Sequence, residues 1–154
     1  MADIKAIALD VDGVLTDGGV WWGPEGSEWK RFSFADIMGV SLARKAGLIV
    51  TLISGEDSPL VDRFAAKMGL GDITKGCKDK AGALQAFAGR HNLALEEICF
   101  MGDDVNDLAA MELAGLSAAP ADARPAARDK AAIVTEAKGG NGAVRELVDR
   151  ILNS

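Results

Sequence analysis

One histidine, two cysteines and no long hydrophobic run occur in 154 residues, and each scarcity removes a class of function. The single histidine, His91, leaves no histidine pair for catalysis and argues against a Ser/His/Asp triad, so proton transfer falls to carboxylates or lysine. Cys77 and Cys99 form no CxxC pair and have no histidine beside them. That argues against zinc and for two reduced thiols, as in a cytosolic protein. No stretch approaches the roughly 18 apolar residues that span a bilayer, and charge interrupts "MADIKAIALD" before it resembles a signal peptide. A basic surplus is missing too: 17 Lys and Arg stand against 23 Asp and Glu, a net charge of −6 that lacks the footprint of a nucleic-acid binder. The expectation is a cytoplasmic protein with no nucleic-acid and no membrane partner.

What is present favours one folded unit. Hydrophobic residues make up 49% of the chain, enough for a single domain over 1–154 to bury a core. Short apolar runs alternate with stretches of helical period, the pattern of an α/β, Rossmann-like, doubly wound parallel sheet. Candidate strands are "IKAIALD", "LIVTLIS", "DITK", "EICFMG" and "AAIVT". Helical spacing links Leu60, Val61, Phe64, Ala65 and Met68, and again Val144, Leu147, Val148, Ile151 and Leu152; helices also fit 38–46, 80–90 and 106–114. Gly47, Gly69 and Gly115 follow such stretches, where a helix stop is expected. Residues 18–34, "GGVWWGPEGSEWKRFSF", break the alternation and read as a β-hairpin turning at "GPEG". All three tryptophans, Trp21, Trp22 and Trp29, fall on it, and either pack it onto the body or mark a subunit interface.

Polar residues gather where strands should end. Asp10 and Asp12 follow the first strand, Ser54 the second, Lys80 the third in "KDKAG", and Asp103, Asp104 and Asp107 the fourth in "GDDVND". In doubly wound folds, functional groups collect beyond the carboxyl ends of the parallel strands. Singly, each has an ordinary reading: a turn for Asp-x-Asp, a helix N-cap for Ser54, a solvated Lys80, helix-start residues in "GDDVND". Together they imply chemistry. Carboxylates crowded into one pocket repel one another unless a cation neutralises them, and an all-oxygen set suits Mg²⁺. A hydroxyl and an ammonium beside that ion fit a phosphoryl group. One aspartate can attack phosphorus and form an acyl phosphate, while the other serves the leaving oxygen as acid and then water as base.

These clusters, in this order over residues 4–107, resemble the motifs of the haloacid dehalogenase superfamily of phosphohydrolases: "DVDGVLTD", "LISG", Lys80 and "GDDVND". The resemblance implies Asp10 as nucleophile, Asp12 as acid/base, and Ser54, Gly55 and Lys80 as phosphoryl binders. It implies Asp103 as a Mg²⁺ ligand beside Asp10 and the Asp12 main-chain carbonyl, with Asp104 and Asp107 around them and Asp107 acting through Lys80. The usual cap domain has no room at this length. The hairpin flap in its place, and "KGGNGAVRELVDRIL", are similar to a capless branch acting on phosphorylated 2-keto-3-deoxy sugar acids. That branch implies a homotetramer with active sites at subunit interfaces.

Glu56, directly after Ser54 and Gly55, and Lys67 further along are similar to branch members that act on nonulosonate 9-phosphates; octulosonate 8-phosphate enzymes typically carry arginine at the first of these positions. Both charges also fit a solvated helix face. Asp36 and Gly39 in "FADIMGV" depart from the adjacent Asp-Gly of many octulosonate enzymes and leave the hairpin-side contacts open. Two other classes compete. A receiver domain places its phosphorylated aspartate after the third strand, unlike Asp10. A non-catalytic assembly relative need not keep Asp10, Asp12, Ser54, Lys80 and Asp103 intact.

Overall fold

The computed structural model describes residues 3–154. Strand β1 (Ala6–Leu9) is apolar on both faces, Ile7 and Leu9 facing one cluster of buried side chains and Ala6 and Ala8 the other. A strand buried on both sides belongs at the centre of a parallel sheet. It is flanked there by β4 (Ile49–Ile53) and β6 (Ile98–Met101), with β5 (Ile73–Thr74) beyond β4, and β7 (Leu116–Ala119) and β8 (Ile133–Val134) beyond β6. All five pairings are parallel.

Helices cover both faces. Side chains of α1 (Phe34–Lys45), α2 (Pro59–Met68) and α6 (Ala143–Leu152) pack with Ile7, Leu9, Leu52 and Met101. Those of α3 (Lys80–Arg90), α4 (Leu108–Leu113) and α5 (Pro125–Lys130) pack with Ala6, Ala8, Ile53 and Phe100. The chain builds from β1 outward to β5, then crosses to β6 on the other side of β1, which makes the carboxyl end of β1 the switch point where a crevice opens. Leu9 is level with Leu52 and Met101, so the residues that follow these strands emerge side by side. No helix among the described residues is long and apolar enough to cross a membrane.

The expected hairpin forms from β2 (Trp21–Trp22) and β3 (Glu28–Trp29), antiparallel, with Trp21 opposite Trp29. Its tryptophans do not pack it to the body: Trp21, Trp22 and Trp29 are 75%, 76% and 67% exposed. Polar contacts hold it instead. Glu28 accepts hydrogen bonds from Trp22 Nε1 at 3.0 Å and from the Ser58 hydroxyl at 3.3 Å, and Arg31 donates to Asn141 Oδ1 at 2.9 Å.

Other expectations shift for local reasons. Helix α1 starts at Phe34 rather than Met38 because Ser33 caps it, accepting from the Ala35 N–H at 3.2 Å. The helix expected over 106–114 divides into a 3₁₀ turn, Val105–Asp107, and α4. Strand β7 and helix α5 lie outside the sequence reading, "LSAA" carrying little strand propensity and "PAARDK" fewer than two turns. Gly69 ends α2 in the left-handed conformation, φ 67°. Gly115 has a different reason to be glycine: a Cβ there would lie 2.2 Å from the Glu96 carbonyl oxygen.

Asp36 and Gly39 serve the α1–α6 crossing rather than the hairpin side. A Cβ on Gly39 would lie 2.9 Å from Arg145 Cα. The buried Asp36 carboxylate accepts from the Arg145 N–H at 3.1 Å and the Gly142 N–H at 3.3 Å, capping α6, whose own N-cap is a glycine. Burial pushes the Asp36 carboxyl above its ordinary range against the opposing pull of these hydrogen bonds.

Candidate active site

Four strand or helix ends meet at the crevice. Asp10 leaves β1 with its N–H donating to the Met101 carbonyl at 3.1 Å. Lys80 is the first residue of α3, set there by Asp79, which caps the helix by accepting from the Gly82 N–H at 3.0 Å. The Lys80 ammonium lies 3.0 Å from Asp10 Oδ1 and 2.7 Å from Asp107 Oδ1. The other Asp107 oxygen accepts from the N–H groups of Asp103 and Asp104, at 2.9 and 3.3 Å. Asp107 thus folds the "GDDVND" turn back on itself and orients Lys80. Asp104 caps the 3₁₀ turn through the Val105 N–H at 2.7 Å.

Gly13 admits the remaining acid. With φ at 83°, it occupies a region that side chains disfavour, and an added Cβ would lie 1.9 Å from Asp103 Oδ2. The loop it belongs to is braced from beneath: a Cβ on Gly139 would meet the Gly13 carbonyl oxygen at 1.9 Å, and the Gly140 N–H donates to the Val14 carbonyl at 3.0 Å.

Crowding sets the electrostatics. Burial is the main cause that pushes the Asp10 carboxyl up to about 6, with the Asp107 charge adding and the Lys80 ammonium opposing. Asp103 is pushed up to about 9, first by burial, then by its hydrogen bond with Asp10 and by the charges of Asp10, Asp107 and Asp104. Desolvation works against the charged form of Lys80, but its two carboxylates outweigh it and the ammonium is held above the usual lysine range. The bare cluster keeps a proton between Asp10 and Asp103 that a cation can replace. Carboxylate oxygens of Asp10, Asp103 and Asp107 lie within 4.8 Å of one another, and an all-oxygen set fits a hard divalent ion. Both Asp107 oxygens are already engaged, so Asp10 and Asp103 are the pair free to face it.

The cleft has a volume of about 320 Å³ and is bordered by Asp10, Asp12, Glu56, Lys80, Asp103 and Asp104, with Gly55 beside Glu56. Ser54 is buried at the end of β4, and Ser58, not Ser54, caps α2. The Ser54 hydroxyl accepts from the Glu56 N–H at 3.1 Å and donates to no other described protein group. Lys67 stands apart: it borders a separate pocket of about 250 Å³ with Lys30, Arg63 and Phe64. Sequence reasoning passed over Lys30, whose ammonium lies 2.9 Å from Asp12 Oδ1. Its position on the hairpin carried no spacing signal. It also passed over Lys78 and Asn106, both on the cleft wall.

A paired aspartate at the end of a central parallel strand, a buried lysine and an acidic turn define a class. Residues 49–147 match the family described as haloacid dehalogenase-like hydrolase, and the chain belongs to that family. It is a phosphoric monoester hydrolase, and its described residues include the β2–β3 hairpin between β1 and α1. The 3-deoxy-D-manno-octulosonate 8-phosphate phosphatase of Escherichia coli K12 is 37% identical over 150 residues, spanning 97% of this chain and 80% of that protein. The corresponding enzyme of Moraxella catarrhalis, crystallised with magnesium, phosphate and KDO, superimposes with a TM-score of 0.96 at 36% identity, over 99% of this chain and 87% of that one. The cobalt-bound Haemophilus influenzae enzyme gives a TM-score of 0.95 at 34% identity, over 98% and 88% of the two chains.

Proposed function

We propose that this chain is a Mg²⁺-dependent phosphatase acting on a phosphorylated 2-keto-3-deoxy sugar acid, with a nonulosonate 9-phosphate (KDN 9-phosphate or N-acetylneuraminate 9-phosphate) as the preferred substrate. The observation that carries the reaction is the buried Asp10, held 3.0 Å from the Lys80 ammonium at the mouth of an open cleft. Mg²⁺, when bound by Asp10 and Asp103 with the Asp12 main-chain carbonyl, offsets the negative charge of carboxylates and phosphoryl group alike. Asp10 attacks phosphorus, the P–O bond to the sugar breaks, and Asp12 delivers a proton to the departing oxygen. Lys80 and the Ser54 hydroxyl hold the transferred oxygens, with Gly55 leaving room at the β4 end. Water then cleaves the aspartyl phosphate, its proton passing to Asp12, and phosphate leaves with Asp10 and Asp12 restored.

Glu56 on the cleft wall supports the nonulosonate reading. Lys67 is not among the residues that border this cleft and lines the pocket on the other side of Lys30, so its part calls on a neighbouring subunit. The exposed Trp21, Trp22 and Trp29 support a homotetramer whose interfaces supply that neighbour. A second reading, octulosonate 8-phosphate hydrolysis, is favoured by the relatives at 36–37% identity. Comparing kcat/KM on the two nonulosonate 9-phosphates with that on octulosonate 8-phosphate decides between them; a large octulosonate preference overturns the use of Glu56. Sedimentation of wild type and a W21S/W22S/W29S variant tests the assembly, which the variant should dissociate.

A further inference from the structure

Lys30 follows β3 on a hairpin whose tryptophans face solvent, yet only 6% of its side chain is exposed. It borders a pocket lined also by the packed rings of Phe32 and Phe64, whose centroids are 5.0 Å apart, and its ammonium reaches Asp12 Oδ1 at 2.9 Å. Glu28 Oε2 lies 3.8 Å from the same ammonium. Because Glu28 also accepts from Trp22 and from Ser58, the N-cap of α2, a continuous polar chain runs from the hairpin and α2 to the carboxylate two residues from the nucleophile.

Asp12 needs such a partner where Asp10 does not. Asp10 is buried and fixed by Lys80, whereas the Asp12 side chain is 32% exposed and, among the described residues, forms its ion pair with Lys30. A carboxylate that samples several rotamers meets a departing oxygen only part of the time. One anchored oxygen removes that freedom and leaves the other, Oδ2, to carry the proton.

We infer that Lys30 is a positioning residue that sets the orientation of the Asp12 carboxylate and so couples the seating of the hairpin to proton delivery at the leaving oxygen. This rests on the proposed role of Asp12 as the acid. The Lys30 ammonium pairs with Asp12 and Glu28, whereas Asp10 pairs with Lys80; Lys30 acts through Asp12. Its loss therefore falls on substrates whose leaving oxygen must be protonated, such as a sugar alkoxide, far more than on p-nitrophenyl phosphate, whose phenolate leaves unaided.

The experiment measures kcat/KM, which reports on events up to the first irreversible phosphoryl transfer, for wild type, Lys30→Met, Lys30→Arg and Asp12→Asn with Mg²⁺. Each is assayed on the better sugar-acid phosphate and on p-nitrophenyl phosphate. Lys30→Met should raise the aryl-to-alkyl ratio about tenfold or more, within the range a misplaced acid costs. Lys30→Arg should return most of it, and Asp12→Asn should raise the ratio further. If Lys30→Met lowers both substrates by the same factor while Asp12→Asn changes the ratio, Lys30 is merely structural and the inference is overturned alone. If Asp12→Asn leaves the ratio unchanged, the acid role of Asp12 falls, and the inference with it.

Discussion

Lys75 and Lys80, five positions apart, hold nearly the same ion-pair geometry. The Lys75 ammonium lies 2.6 Å from Asp62 and 3.0 Å from Asp57, and the Lys80 ammonium 2.7 Å from Asp107 and 3.0 Å from Asp10. The surroundings differ: 27% of the Lys75 side chain is exposed and 2% of that of Lys80. Around Lys75, water and salt screen every charge and the partners contribute little. Around Lys80 desolvation magnifies each interaction, so that Asp10 and Lys80 are both held above their ordinary ranges and no charge of the cluster can be removed without consequence. Distances alone do not make a site; the low dielectric does.

The largest expected effect is on chemistry. Asp10→Asn keeps the shape of the buried partner and should abolish turnover of the sugar-acid phosphate while circular dichroism stays native; residual turnover at a comparable rate removes Asp10 as nucleophile. Next comes stability. Lys80→Met leaves carboxylates buried without their cation and should cost about 3 to 5 kcal/mol in the metal-free protein by denaturant unfolding. Lys75→Met should cost a small fraction of that by the same measurement. Equal losses from the two variants break the comparison.

The third effect is on metal affinity. Because the Asp10 and Asp103 carboxyls are raised to about 6 and about 9, the metal-free cluster binds a proton over that window and the ion must displace it. Mg²⁺ affinity should therefore strengthen with rising pH, by up to about tenfold per unit while one proton is released, and level off above the Asp103 value. Titration calorimetry in buffers of different ionisation enthalpy counts that proton; a pH-independent affinity refutes the shared-proton arrangement. The smallest effect is ionic: salt should erase the upward shift of the Lys75 ammonium while leaving that of Lys80 intact, measurable by NMR titration.

Much of the site is legible in the sequence because each functional group is local to an element end. Asp10 follows an apolar run, Lys80 opens a helix behind an aspartate cap, and "GDDVND" follows "EICFM", so placing the elements places the residues. Lys30 is invisible by the same logic, since its partner Asp12 is brought to it only by the way the hairpin folds back. Asp36 looks like a motif departure because its partners, Gly142 and Arg145, lie more than a hundred positions away. A signal existed at the far end: α6 begins at a glycine that cannot cap it, and its amide groups required an acceptor from elsewhere. Glu56 and Lys67 share a segment, but the rise of α2 carries Lys67 to a different pocket.

The interlock of Gly13 with Gly139 and Gly140 has a consequence for biosynthesis. Asp10 leaves the ribosome ahead of the glycines that brace its loop, which follow 129 and 130 positions later. A nascent chain carries Asp10 long before it carries the surface against which the loop after Asp10 is shaped. Hydrolytic competence is therefore acquired only once Gly139, Gly140 and α6 have been made and can dock.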